Sequence, residues 1–193
     1  ILGTSGALSE YLVKNTDVLD SVIASEFWEV WPSRKFLSSE LEFMLKGEVD
    51  YEAKLNLARR WCKEWQFRIG VHYLRSQISA KNAGVQYAEL AEITLSIIWQ
   101  EVLCEFAKKF GPEPGNGAAV ISMGSLGSGV LHANSDLDLI IIYDADGNDQ
   151  SEGDRSLSAR QYYSRLTKAF ITAISAPMTE GRLYEIDMRL RPS

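Results

Sequence analysis

Two cysteines in 193 residues are too few for a disulfide framework, and the spacing of Cys62 and Cys104 matches no zinc module. Both fall at apolar positions of helix-like segments and read as buried, reduced thiols. No apolar run reaches the roughly 18 residues that a membrane-spanning helix requires, and the N-terminal residues do not follow the pattern of a signal peptide. Positive charge is also in deficit. The net charge is -6 and the sequence pI near 5.0, which excludes a nucleic-acid groove spread across the surface. Of the two histidines, His72 lies on an apolar helical stripe and reads as a core residue, and His132 reads as a loop residue. The chain opens on Ile1 rather than Met and stops just past a motif, so a piece of a longer protein is expected.

What is abundant is apolar residues, 46% of the chain, enough for a sizeable core. Over residues 1–110 they recur at helical steps. Leu8, Tyr11, Leu12, Leu19, Val22 and Ile23 predict helix at the start, and Trp28 to Pro32 marks a break, since proline excludes the helix interior. Leu37, Leu41, Met44 and Leu45 form a second stripe that ends at Gly47. The stripe Ala58, Trp61, Cys62, Trp65, Ile69, His72 predicts a long helix over residues 51–79 with one buried face. A broader arc over residues 85–110 predicts a central helix with Leu90, Ile93, Ile97, Ile98, Cys104 and Phe106 inside. The five tryptophans are expected to pack cores and element junctions rather than to stack bases.

The Gly- and Pro-rich stretch 111–117 then interrupts the pattern and reads as a linker. Beyond it the period changes to that of strands, over residues 118–123, 137–143 and 182–190. A helix is predicted between the last two, starting at the capping box Ser158-Ala-Arg-Gln161 and burying Tyr162, Leu166, Ala169, Phe170, Ala173 and Ile174. The acidic residues 144–154 miss the spacing of a calcium loop, because Arg155 stands where a bidentate Glu is needed, and read as a solvated loop. These signals define an α+β chain with a helical domain at 1–112 and a β-rich unit at 113–193.

The chemistry concentrates in the second part. Met123-Gly124-Ser125-Leu126-Gly127-Ser128-Gly129 is a small-residue turn whose backbone N–H groups can face phosphate. A few residues on, with ten residues between Ser125 and Asp136, Asn134-Ser135-Asp136-Leu137-Asp138 leads into the second predicted strand, and strand alternation puts Asp136 and Asp138 on one face. The last strand alternates too, with Tyr184, Ile186, Met188 and Leu190 on one face and Glu185, Asp187, Arg189 and Arg191 on the other. Glycine turn, D-x-D strand and a later strand carboxylate together form a layout for metal-assisted phosphoryl or nucleotidyl transfer. The arginines add groups that hold phosphate oxygens.

That order of motifs resembles the nucleotidyltransferase superfamily that includes the palm of DNA polymerase β. More closely, Ser135-Asp136-Leu137-Asp138-Leu139-Ile140 and Tyr184-Glu185-Ile186-Asp187-Met188-Arg189-Leu190-Arg191-Pro192-Ser193 are similar to two strands of the glutamine synthetase adenylyltransferase family. Segments of the helical part, residues 1–5 through Leu12 and Phe67-Arg68-Ile69-Gly70, are similar as well, so the resemblance covers essentially the whole chain. It implies a helical bundle followed by a polymerase β-like palm. It also implies a cytoplasmic enzyme that transfers AMP from ATP to a tyrosine of glutamine synthetase with two Mg²⁺ ions.

On this resemblance Asp136, Asp138 and Asp187 are the catalytic and metal-holding residues, and Gly124, Ser125, Ser135, Arg189 and Arg191 bind the nucleotide. The expected partners are glutamine synthetase and, on the full-length enzyme, a nitrogen-signalling regulatory protein, with neither nucleic acid nor membrane. Gln161-Tyr162-Tyr163-Ser164-Arg165-Leu166 and the ending R-L-R-P-S look like the AMP-attaching half of these bifunctional enzymes. The phosphorolytic, AMP-removing half and a catalytically weak nucleotide-binding module remain open. The family's turn reads G-K-L-G-G-x-E. Here Ser125 and Val130 replace its Lys and Glu, so a cation near the triphosphate is lost while the superfamily's Gly-Ser is restored.

Overall fold

A computed structural model describes residues 30–147 and 149–188. The N-terminal helix expected around residues 8–23, Trp28, and the residues Arg189, Leu190 and Arg191 lie outside them. The described residues form five helices and a three-stranded sheet, a mixed α and β architecture.

Three long helices come first: α1 (Arg34–Lys46), α2 (Tyr51–Leu74) and α3 (Ala80–Phe110). Each starts where a short polar side chain takes up an amide of the first turn. Ser33 Oγ accepts from the Phe36 amide at 3.3 Å, an Asp50 carboxylate oxygen from Ala53 at 2.7 Å and Ser79 Oγ from Asn82 at 3.1 Å. α1 closes at Gly47 as its sequence predicts, and α3 at Gly111. α2 stops at Leu74, five residues short of the predicted end, and α3 begins at Ala80, five earlier than predicted. Ser79 explains the second shift, because it caps the helix before the apolar arc begins.

The four described tryptophans pack as expected. Trp31, just before α1, meets Trp65 of α2 edge to face, Trp65 meets Trp61 in the same way, and Trp99 of α3 lies perpendicular to Phe170 at 5.1 Å. Trp61 and Trp65 both donate their indole N–H to one oxygen of Glu40, at 2.6 and 3.1 Å. His72 is buried and His132 exposed, in line with the sequence. Cys62 is buried, but Cys104 is exposed, which corrects the expectation that both thiols are interior. The apolar arc of α3 is broad enough to suggest that Cys104 falls within it, whereas the buried residues of its last turns end at Val102.

Residues 111–117 are tied down. Tyr162 donates its hydroxyl to the Gly111 carbonyl at 3.0 Å, and Tyr163 to the Pro114 carbonyl at 2.6 Å. Then follow β1 (Gly117–Ser122), a single helical turn α4 (Gly124–Gly127), β2 (Leu137–Asp144), α5 (Ala159–Ser175) and β3 (Ile186–Asp187). β2 is central, antiparallel to β1 and parallel to β3. Ser158 does precede α5 but makes no side-chain capping bond. The Ala159 amide, at the first helical position, donates to the Asp149 carbonyl at 2.9 Å. The strand predicted over residues 182–190 pairs only through Ile186 and Asp187 among the described residues.

One face of the sheet is packed and the other is open. Leu137 and Leu139 are buried, and Tyr143, on the same face, stacks on Tyr163 of α5 at 4.3 Å. Leu126, Leu137 and Leu139 share one buried cluster with Leu37 and Leu41 of α1, Leu90 and Ile98 of α3 and Phe170 of α5. On the opposite face Asp138 and Ile142 are exposed, and Ile121, which pairs with Ile140, is exposed beside them. The helices therefore support the sheet from one side and leave the carboxylate side accessible.

Candidate active site

Asp138 sits on β2 between two structural neighbours. Across the parallel ladder its register partner is Asp187 of β3, and directly paired residues of a ladder present their side chains on the same face. The ladder is anchored by the Leu137 amide donating to the Glu185 carbonyl at 2.9 Å. On the antiparallel side the Met123 amide donates to the Asp138 carbonyl at 2.8 Å, which brings the start of α4 up to the same point.

Gly124 begins that turn at φ +54, in the left-handed region. A Cβ placed on it would stand 2.2 Å from an Asp138 carboxylate oxygen and 3.2 Å from its Cγ. Glycine is thus required twice over, by backbone conformation and by the approach of the carboxylate. The Gly127 amide returns to the Met123 carbonyl at 2.8 Å and closes the turn. As at any helix start, the first amides find no acceptor inside the helix. The sequence treats this stretch as a plain turn before a strand, and the structure makes it one turn of helix.

Asp136 precedes β2 and is exposed. Ser135 shapes the approach to it: its Oγ accepts from the His132 amide at 3.2 Å, and its own amide donates to the His132 carbonyl at 3.1 Å. Ser125 is exposed, and its carbonyl accepts from Val130 N and Ser128 Oγ at 3.1 and 2.8 Å. The described residues thus bring together Gly124, Asp138 and Asp187, with Asp136 two residues before Asp138. Arg189 and Arg191 lie outside them.

Among the described residues no three acidic, imidazole or thiol groups gather closely enough to hold a metal ion by themselves. The donor chemistry still suits Mg²⁺. That ion prefers oxygen, takes only one or two carboxylates, and completes its shell with water and substrate phosphate. The acidic loop after β2 folds on itself, with an Asp149 carboxylate oxygen accepting from the Asp146 amide at 2.7 Å.

Comparison with known proteins decides the family. The family model described as glutamate-ammonia ligase adenylyltransferase matches residues 1–193. The chain belongs to this family. It is 38% identical over 194 residues to a protein of Mesorhizobium japonicum named bifunctional glutamine synthetase adenylyltransferase/adenylyl-removing enzyme. Identically named proteins of Brucella suis and Bradyrhizobium diazoefficiens are each 37% identical over 194 residues. Each match covers 100% of this chain and 20% of the relative, so the chain spans one fifth of the length of those proteins. No described helix is long and apolar enough to cross a membrane.

Sequence reasoning missed one buried charge. Arg59 is completely buried on α2, and its guanidinium reaches the segment that leads into β3. The apolar stripe used to predict α2 runs through Ala58 and Cys62 beside it, and nothing in that stripe marks a charged residue as interior. The available signal was spacing. Arg59, Cys62 and Lys63 stand at i, i+3 and i+4, one side of a helix.

Proposed function

We propose that this chain carries a nucleotidyl-transfer site that moves AMP from ATP to a tyrosine of glutamine synthetase, on the open face of a polymerase β-like palm. The observation that carries the reading is the register of Asp187 beside Asp138, with Gly124 drawn against the Asp138 carboxylate. The family and the relatives' names support the substrate and the nucleotide group. We divide the chain into a helical domain at 1–112 and a catalytic core at 113–193.

Asp136, Asp138 and Asp187 would hold two Mg²⁺ ions, which supply charge neutralisation on the nucleotide phosphates and acidify the attacking hydroxyl. Gly124 and Ser125 offer first-turn amides and a hydroxyl to the β- and γ-phosphates, with Ser135, Arg189 and Arg191 as further nucleotide contacts. The tyrosine oxygen forms a bond to the α-phosphorus as the bond to pyrophosphate breaks, and the phenolic proton passes to solvent. An accessible carboxylate face, flanked by the exposed side chains of Ile121 and Ile142, suits an acceptor as large as a protein.

We assign the chain to the AMP-attaching half, in the cytoplasm, with a nitrogen-signalling protein acting on the full-length enzyme. The Gln161–Leu166 string and the R-L-R-P-S ending support that assignment. Asp187→Asn tests the carrying observation. Transfer of labelled AMP should drop at least about a thousandfold with the circular dichroism spectrum unchanged, in line with the large losses seen when groups acting at the transition state are removed. Transfer within threefold of the parent would remove Asp187 from the site.

A further inference from the structure

Among the described residues Arg59 is a large side chain with no solvent exposure, 0% of its surface, and it takes part in no ion pair. Its hydrogen bonds go to backbone carbonyl oxygens. Nη1 donates to Leu55 at 2.9 Å within its own helix, and Nη2 donates to Ala173 at 2.6 Å and to Ala176 at 3.3 Å. Those two carbonyls lie in the last turn and cap of α5, the negative end of that helix's dipole. Nε donates at 3.0 Å to the carbonyl of Gly181, in the turn closed by the Met178–Gly181 bridge.

Two neighbours on the same side of α2 reach the same connector. Lys63 Nζ donates to the Glu180 carbonyl, and Cys62 Sγ lies 3.2 Å from the hydroxyl of Tyr184, which is itself buried. Beyond Tyr184 the chain enters the ladder at once. The Glu185 carbonyl takes the Leu137 amide, and Asp187 falls opposite Asp138. One stripe of α2 therefore grips the segment from Ala173 to Tyr184 at successive points and delivers β3 to β2. Among the described residues β3 pairs with β2 through Ile186 and Asp187, immediately after the gripped segment.

We propose that Arg59 is a positioning residue for Asp187, and that the α2 stripe Arg59–Cys62–Lys63 makes the carboxylate geometry depend on the helical part of the chain. This rests on the nucleotidyl-transfer reading of the site for its catalytic consequence, and on the hydrogen bonds alone for its structural one. A guanidinium is needed because it sends fixed, divergent N–H groups to several carbonyls at once, which the single ammonium of lysine cannot reproduce.

The test uses the full natural polypeptide with Arg59→Lys, Arg59→Met and Lys63→Met, beside Asp138→Asn as the reference for the site. Two readouts are taken. Steady-state transfer is measured as a function of Mg²⁺, ATP and acceptor, and amide hydrogen exchange is followed peptide by peptide. The expected result is about tenfold faster exchange over residues 183–187 in both Arg59→Lys and Lys63→Met, with α3 still protected. Half-saturating Mg²⁺ should rise about tenfold and kcat should fall about tenfold, with KM for the acceptor protein unchanged. A purely structural loss would lower active protein without moving the Mg²⁺ dependence.

Folded variants with parental Mg²⁺ dependence and parental exchange over 183–187 overturn the proposal. Should Arg59→Met fail to fold, Lys63→Met carries the same two readouts at a part-buried position. If Asp138→Asn retains transfer, the reading of the site fails separately. Exchange over 183–187 then decides the positioning claim, with faster exchange supporting it and parental exchange refuting it.

Discussion

Gly124→Ala separates the cost of stability from the cost of position. The added Cβ meets an Asp138 carboxylate oxygen at 2.2 Å, where ordinary contact begins near 3.4 Å, so the carboxylate must retreat. The atom in the way is the far end of a flexible side chain on an exposed residue, so retreat costs little folding energy. The main stability cost is a left-handed backbone at φ +54, about 1–2 kcal/mol for a residue with a Cβ. For a chain of this size that amounts to roughly 2–8 °C in Tm. A displacement of about 1 Å at a reacting centre, by contrast, costs on the order of a hundredfold in rate.

Gly129 provides the matched control. It too has positive φ, +73, but a Cβ there meets nothing within 4 Å. Gly129→Ala should therefore show a similar fall in Tm and keep transfer within about threefold, while Gly124→Ala loses about a hundredfold. The assay is AMP transfer at saturating Mg²⁺ paired with thermal melting. Equal losses in the two variants, or near-parental activity in Gly124→Ala, would refute the claim that this close approach sets the carboxylate.

Two further outcomes follow from burial. In the folded protein a maleimide reagent should modify Cys104 quickly and leave Cys62 untouched until denaturant is added, since Cys62 is buried with its thiol pushed up to about 11; prompt labelling of both would contradict the packing of α2. Burial likewise raises the Tyr51 and Tyr87 hydroxyls to about 12. Below about pH 9 folded and unfolded chains are equally protonated at these groups, and above it the unfolded chain ionises first. With the Cys62 thiol, which in the unfolded chain ionises about one unit earlier, the denaturation midpoint should hold steady to about pH 8 and fall progressively between pH 8 and 12, and a flat profile across that range would count against the buried thiol and phenols.

The helices were legible because each buries one stripe, and the stripe fixes the period regardless of what it packs against. Leu37, Leu41 and Leu45 sit as their spacing requires, as do Tyr162, Leu166 and Phe170 of α5. Cys104 was misjudged because a broad apolar arc does not say where burial ends. Strands β1 and β2 were legible from composition, and the D-x-D alternation placed Asp138 on the open face. The order of motifs grouped Asp187 with Asp136 and Asp138, but the register that sets Asp187 opposite Asp138 could not be read, since the two segments are almost fifty residues apart and are joined through α5 and its connector. The same holds for the contact of Gly124 with Asp138 and for Arg59. Each depends on which elements meet, and local sequence is silent on that.

The central claim is tested most directly with Asp136 and Asp138 both changed to Asn in the full natural polypeptide. Glutamine synthetase serves as substrate, and intact mass reports addition of AMP and its phosphate-dependent removal. The account predicts that addition disappears while removal continues. Addition that persists at the parental rate would contradict it.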